Sequence, residues 1–178
     1  MLGLALWLNR SAIAQEIIWE RPSQLFWVTL GAGAMGSSEF FGGSGYLGMS
    51  LDSEIGLISL RTVVGATFTS SPTGDILDFP VTSLTDLGLL YGVCERTSYS
   101  ILSESAGVAV VWVKKESTTN ELGTATIGIP FEVQAATIPL SVLSIGVKAY
   151  GNLNIKNPFG GILVCFHFSA FRKIHKSD

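Results

Sequence analysis

From residue 25 onward the chain alternates with a period of two and shows almost no helical spacing. In 26–34, Phe26, Val28 and Leu30 fall on one face and Trp27, Thr29 and Gly31 on the other. The same split recurs in 43–51, where Leu47, Met49 and Leu51 oppose Tyr46, Gly48 and Ser50. In 58–68, Ile58, Leu60, Val64 and Phe68 oppose Ser59, Arg61 and Gly65. In 85–93, Leu87, Leu89, Tyr91 and Val93 oppose Asp86, Gly88 and Gly92. Segment 99–113 is blurred, with Ala106, Val108, Val110 and Trp112 against Ser105, Gly107 and Ala109. The last three are sharper: Ile127, Ile129, Phe131 and Val133 in 124–135, Leu143, Ile145 and Val147 in 142–150, and Ile162, Val164, Phe166 and Phe168 in 160–171. Strict alternation is the mark of strands, and the spacing predicts eight of them.

One face of nearly every segment is bulky and apolar, while the other mixes glycine with isolated polar or charged side chains. A soluble sandwich would place Lys and Glu on its wet face. A small closed barrel in a membrane inverts that logic, because its apolar face meets lipid and its inner face must fit a lumen just wide enough for side chains. Segments of about 9–12 residues suit a tilted crossing of the hydrocarbon. The expected architecture is all-β, an eight-stranded antiparallel up-and-down transmembrane β-barrel with a filled polar lumen. Its connections alternate in the phase such a barrel requires: 35–42, 69–84, 114–123 and 151–160 are long, whereas 52–55, 94–98 and 136–140 are short. Outer-membrane barrels carry long external loops and short periplasmic turns, so the long set is expected outside, where it could meet an extracellular ligand. Pro130 removes a ladder hydrogen bond from its strand, and a bulge is expected there.

Composition sharpens this picture. Charged residues are 14% of the chain and hydrophobic residues 47%, with 20 glycines; soluble domains carry about 25% charge. Net charge is −3 and the one basic run is 172–176, at the tail, which excludes nucleic acid as a partner. Residues 1–14 read as the remnant of a signal peptide, an apolar run ending in the small-x-small pattern Ala12-Ile13-Ala14. The organisation expected is therefore 1–14 signal remnant, 15–24 periplasmic lead-in, 25–171 barrel and 172–178 tail, the whole a monomer in outer-membrane lipid. Trp27, Tyr91 and Trp112 are candidates for interfacial aromatics.

Candidate chemistry is sparse. Arg61, Asp86, Glu132 and Lys148 are the charged residues on predicted inner faces, two of each sign, and an ion-pair network filling the lumen is their expected role, because buried charge must be paired. A gated polar path is the sharper alternative. His167 and Ser169 share a face at i, i+2, the spacing a hydroxyl nucleophile and its base would need, yet an acid to orient the histidine is not evident. They stand as candidates for catalysis only, with a hydrogen-bonded wall histidine as the expectation. Cys94 and Cys165 fall on strands across the barrel from each other, too far for a disulfide, and with His167 they lack metal-ligand spacing. No metal and no cofactor is expected.

Three stretches carry a resemblance. "DLGLLYG" (86–92), "TIGIPFEVQ" (126–134) and "GNLNIKNPFGGILVCFHF" (151–168) resemble the small outer-membrane β-barrel proteins of the Bacteroidota, in which a "TIGIP-E" strand precedes an "IG…ANLN…FGG" pair near the C-terminus. The likeness implies an outer-membrane barrel, of a kind often without an assigned role, and transfers no catalytic residue. The terminal strand is similar only loosely to the assembly signal of such barrels, since Leu163 stands at its glycine position. His167-Phe168-Ser169 resembles the His-x-Ser strand of outer-membrane lipid A deacylases, which implies a lipid-modifying enzyme as one alternative function. A soluble lipocalin-like carrier, with its apolar faces turned inward around a ligand, is the other.

Overall fold

The computed structural model describes residues 24–37, 41–67, 82–97, 99–115, 124–140 and 142–169. The proposed signal remnant, all of the lead-in except Gln24, and the tail lie outside these residues. Eight strands form: β1 Gln24–Ser37, β2 Phe41–Ser53, β3 Gly56–Thr67, β4 Thr82–Arg96, β5 Ser100–Lys115, β6 Thr124–Leu140, β7 Leu143–Asn154 and β8 Phe159–Phe168. Each pairs antiparallel with its sequence neighbours, and β1 pairs with β8, so the sheet closes into an up-and-down barrel. Closure leaves no unpaired edge strand.

Following paired residues once round the wall from Leu25 returns to β1 at Met35. That stagger of ten residues tilts the strands by roughly 40°, as barrels of this size require. The strands are longer than the alternation suggested, so the loops shrink. Met35–Ser37 and Phe41–Gly42 belong to β1 and β2, leaving 38–40 between them, and 151–154 and 159–160 belong to β7 and β8. Thr82 to Leu84 and Lys114 to Lys115 likewise belong to β4 and β5, and residues 136–140 complete β6. The expected long connection at 35–42 is thus cut to 38–40, no longer than the short turn 97–99, whereas 68–81 and 116–123 remain long and 155–158 only slightly exceeds the short turns.

The short turns have local causes. Ser53 pairs with Gly56 across a two-residue turn, and Ser53 Oγ donates to the Gly56 carbonyl at 3.1 Å. Gly56 has φ of 126°, a region that side-chain-bearing residues rarely adopt. A Cβ there would also fall 2.7 Å from the Tyr91 hydroxyl. Gly56→Ala is therefore expected to destabilise the barrel by about 1–3 kcal/mol, readable as a lower urea midpoint; an unchanged midpoint would refute this account. At the next turn Thr97 Oγ1 accepts from the backbone N–H groups of Tyr99 (3.2 Å) and Ser100 (3.0 Å).

Pro130 is accommodated without the expected bulge. Ala106 pairs with Phe131 and Ala109 with Gly128, so the β5–β6 register runs unbroken past the proline, with the pairs between them missing. Gly107 stands opposite, and Pro130 turns its ring into the lumen, near Gly88. The irregularity in β6 lies instead between Thr137 and Leu140.

The faces divide as the alternation requires. Val108 is 63% and Ile127 76% exposed, while Arg61 is fully buried. The apolar faces thus look outward, which overturns the lipocalin-like alternative. The lumen is packed in layers. Leu25, Trp27, Leu57, Cys94, Ile101 and Ala136 form an apolar floor at the short-turn end. Trp27 is therefore a lumen plug and not an interfacial aromatic, whereas Trp112 and Tyr91 do face outward. Met35, Leu84, Val111, Val113 and Phe159 cap the opposite end, and their cluster reaches down to Tyr46, Val63, Tyr150, Leu163 and Cys165 beside the charged layer.

Candidate functional site: the charged layer of the lumen

Arg61, Asp86, Glu132 and Lys148 come from β3, β4, β6 and β7 and meet in the middle of the lumen. Arg61 is paired in the ladder with Gly48 on one side and Gly88 on the other, so neither neighbouring strand places a side chain where its guanidinium lies. Nη2 of Arg61 donates to Asp86 Oδ2 at 3.1 Å and to the Gly151 carbonyl at 2.9 Å; Nη1 donates to the Phe131 carbonyl at 3.2 Å and stands 3.6 Å from Glu132 Oε2. Lys148 Nζ donates to Glu132 Oε1 at 3.0 Å and to the Tyr46 hydroxyl at 2.6 Å, and that hydroxyl donates to Glu132 Oε2 at 3.0 Å. Glu132 therefore faces three donors, whereas Asp86 is held through Oδ2 and its buried Oδ1 has no partner among the described residues; paired and hydrogen-bonded charge is the kind a protein interior tolerates.

Four neutral or aromatic residues complete the layer, of which the alternation places only Tyr46 on an inner face. Asn152 Nδ2 donates to Asp86 Oδ2 at 2.8 Å, and Asn154 Nδ2 donates to Asn152 Oδ1 at 3.3 Å. Both asparagines were assigned to a loop, although the inward positions of the strand continue through them while Leu153 points out. Tyr46 and Tyr150 also face inward. The Lys148 ammonium lies 4.1 Å from the Tyr46 ring centroid and the Arg61 guanidinium 5.9 Å from that of Tyr150, within the range of cation–π attraction. Glycines beside these rings provide space: a Cβ at Gly48 would approach the Tyr46 ring to 2.7 Å.

Below the charges lies a shell of small polar groups. Ser50 and Ser59 share a hydrogen bond of 2.9 Å, and His167 Nδ1 sits 2.9 Å from Thr29 Oγ1. The catalytic constellation is not assembled. His167 is fully buried, its Nδ1 partner is a hydroxyl, and its Nε2 has no partner. Ser169, expected on the inner face, lies beyond the end of β8, half-buried, with its hydroxyl donating to the Phe26 carbonyl. Cys94 and Cys165 are both buried and free, one in the floor cluster and the other in the upper cluster. Among the described residues no group of three His, Cys, Asp or Glu is placed to hold a metal.

A closed eight-stranded barrel with a plugged polar lumen and an apolar exterior defines a structural class, and comparison with solved structures places the fold in it. The chain is similar to Neisserial surface protein A (NspA), with a TM-score of 0.60 at 9% identity over 82% of this chain and 96% of that one. It is similar to Ail, the attachment invasion locus protein of Yersinia pestis, with a TM-score of 0.56 at 8% identity over 82% and 97%. Ail in complex with the heparin analogue sucrose octasulfate gives 0.57 at 8% identity, again over 82% and 97%. These neighbours are small outer-membrane barrels of eight strands, and at such identities the likeness is one of fold. No family model and no curated protein sequence matches the chain.

Proposed function

We propose that this chain is a non-enzymatic outer-membrane protein of a Gram-negative bacterium. Its sealed barrel sits in outer-membrane lipid as a monomer, and its long connections stabilise the membrane surface or bind a ligand there. The observation that carries this reading is the inverted polarity of the wall: paired charges fill the centre, while Leu60, Leu89, Val108 and Phe131 stand exposed outside. A soluble protein rarely exposes contiguous apolar patches beyond a few hundred Å². The three motifs at 86–92, 126–134 and 151–168 support a source among the Bacteroidota. Ligand binding by a barrel of this fold has a precedent in Ail, whose structure was solved in complex with a heparin analogue.

The test is direct. Unboiled and boiled samples are expected to migrate differently in SDS gels, because a closed barrel resists detergent until heated. Ready solubility without detergent, together with identical migration, would overturn the membrane reading. In planar bilayers the protein is expected to add no steady conductance, because apolar layers close both ends of the charged core; a steady current would overturn the sealed lumen.

A further inference from the structure

The outer wall carries a feature that a lipid-facing surface does not need. Among the described residues three charged side chains occupy outward strand positions: Glu95 and Lys114 each stand one residue from a strand end, and Glu104 alone lies further in, four residues from the start of β5. Its strand neighbours on that face are Leu102 and Ala106, and it pairs laterally with Val93 of β4 and Val133 of β6. No hydrogen bond or ion pair to another described residue engages its carboxylate. One register step away, small Ala106 lies between Tyr91 and Phe131. The two rows border a shallow groove, open to its surroundings, that is lined by Tyr91, Val93, Glu104, Ala106, Phe131 and Val133. The Tyr91 hydroxyl donates to the Ile55 carbonyl in the turn before β3.

We propose that this groove binds an apolar cation: a single-chain amphiphile with an ammonium head, taken up from the bilayer. The inference rests on the membrane reading above. A carboxylate facing hydrocarbon is costly and marks function more often than structure. A cation beside it removes that cost. Charge complementarity selects the occupant. Among the described strand residues a second copy of this chain offers outward only Lys114, at the opposite end of β5 from Glu104, since Arg61 and Lys148 are committed to the lumen, and neutral or anionic chains gain nothing from Glu104.

The test uses the full chain in phosphatidylcholine nanodiscs, with a nitroxide-labelled alkylammonium of twelve or so carbons as the probe and the matching alcohol as its uncharged control. Methyl NMR signals of Val93, Ala106 and Val133 are expected to broaden about fivefold more than those of Val28 and Val164 across the barrel. The alcohol is expected to broaden both sides alike, and Glu104→Gln to remove the excess seen with the ammonium. Even broadening in the wild type, or an excess that survives Glu104→Gln, would overturn the site while leaving the membrane reading intact. A chain that does not enter nanodiscs and shows no heat-dependent migration would overturn both.

Discussion

Arg61→Met is expected to lower the unfolding free energy by about 3–5 kcal/mol, the range seen when one partner of a buried ion pair is removed. The substitution keeps most of the volume and removes four contacts at once: Asp86, Glu132 and the carbonyls of Gly151 and Phe131. Asp86 is left with the amide of Asn152 as its donor, a neutral group set against a full buried charge. Glu132 keeps Lys148 and Tyr46. Most of the damage therefore falls on Asp86, and Arg61→Met combined with Asp86→Asn is expected to recover a large part of the loss, because the amide can still meet Asn152 without carrying charge. Lys148→Met is expected to cost less than Arg61→Met, since Arg61 remains 3.6 Å from Glu132 and the Tyr46 hydroxyl still donates to it. Urea unfolding in phosphatidylcholine vesicles, followed by tryptophan emission, measures all three. A shift below about 1 kcal/mol for Arg61→Met would mean that water reaches Asp86 and that the lumen is not sealed around it.

How these residues meet explains what the sequence could and could not disclose. Inward placement follows from parity alone: Arg61 shares a strand face with Ser59 and Gly65, and Glu132 with Gly128 and Gln134. Pairing depends on the ten-residue stagger, a property of all eight registers together, so no local pattern links Arg61 to Glu132 seventy-one positions later. Neutral partners were harder still. Asn152 and Asn154 sit in a run of Gly, Asn and Pro that reads as a loop, and the ladder from Gly128 to Asn154 is what extends β7 through them. Trp27 illustrates a different ambiguity: a tryptophan near a strand end suits both an interface and a plug, and only its inward parity, shared with Leu25 and Thr29, decides for the plug. Pro130 shows that a missing N–H need not shift a register when the facing residue is a glycine that places no side chain against it.

Leu60→Arg gives the sharpest separation between a wall that meets lipid and one that meets water. Leu60 is 47% exposed near the middle of β3, between Met49 of β2 and Leu89 of β4. If its surroundings were water, arginine would fall within the usual ±0.5 kcal/mol or so of surface substitutions, and would improve solubility by breaking an apolar patch. In hydrocarbon near the midplane, the same change is expected to cost about 2–4 kcal/mol. Ile55→Arg serves as the control, because Ile55 is 71% exposed but lies in the turn at the rim, where the cost falls to about 0–1 kcal/mol. The position of Lys114, outward and near the long-connection end of β5, agrees with that depth dependence. Unfolding in vesicles is therefore expected to separate the two arginine variants by at least about 1 kcal/mol. Equal stability of Leu60→Arg and Ile55→Arg would remove the lipid belt, and with it the physical reason for an apolar outward face on every strand of this barrel.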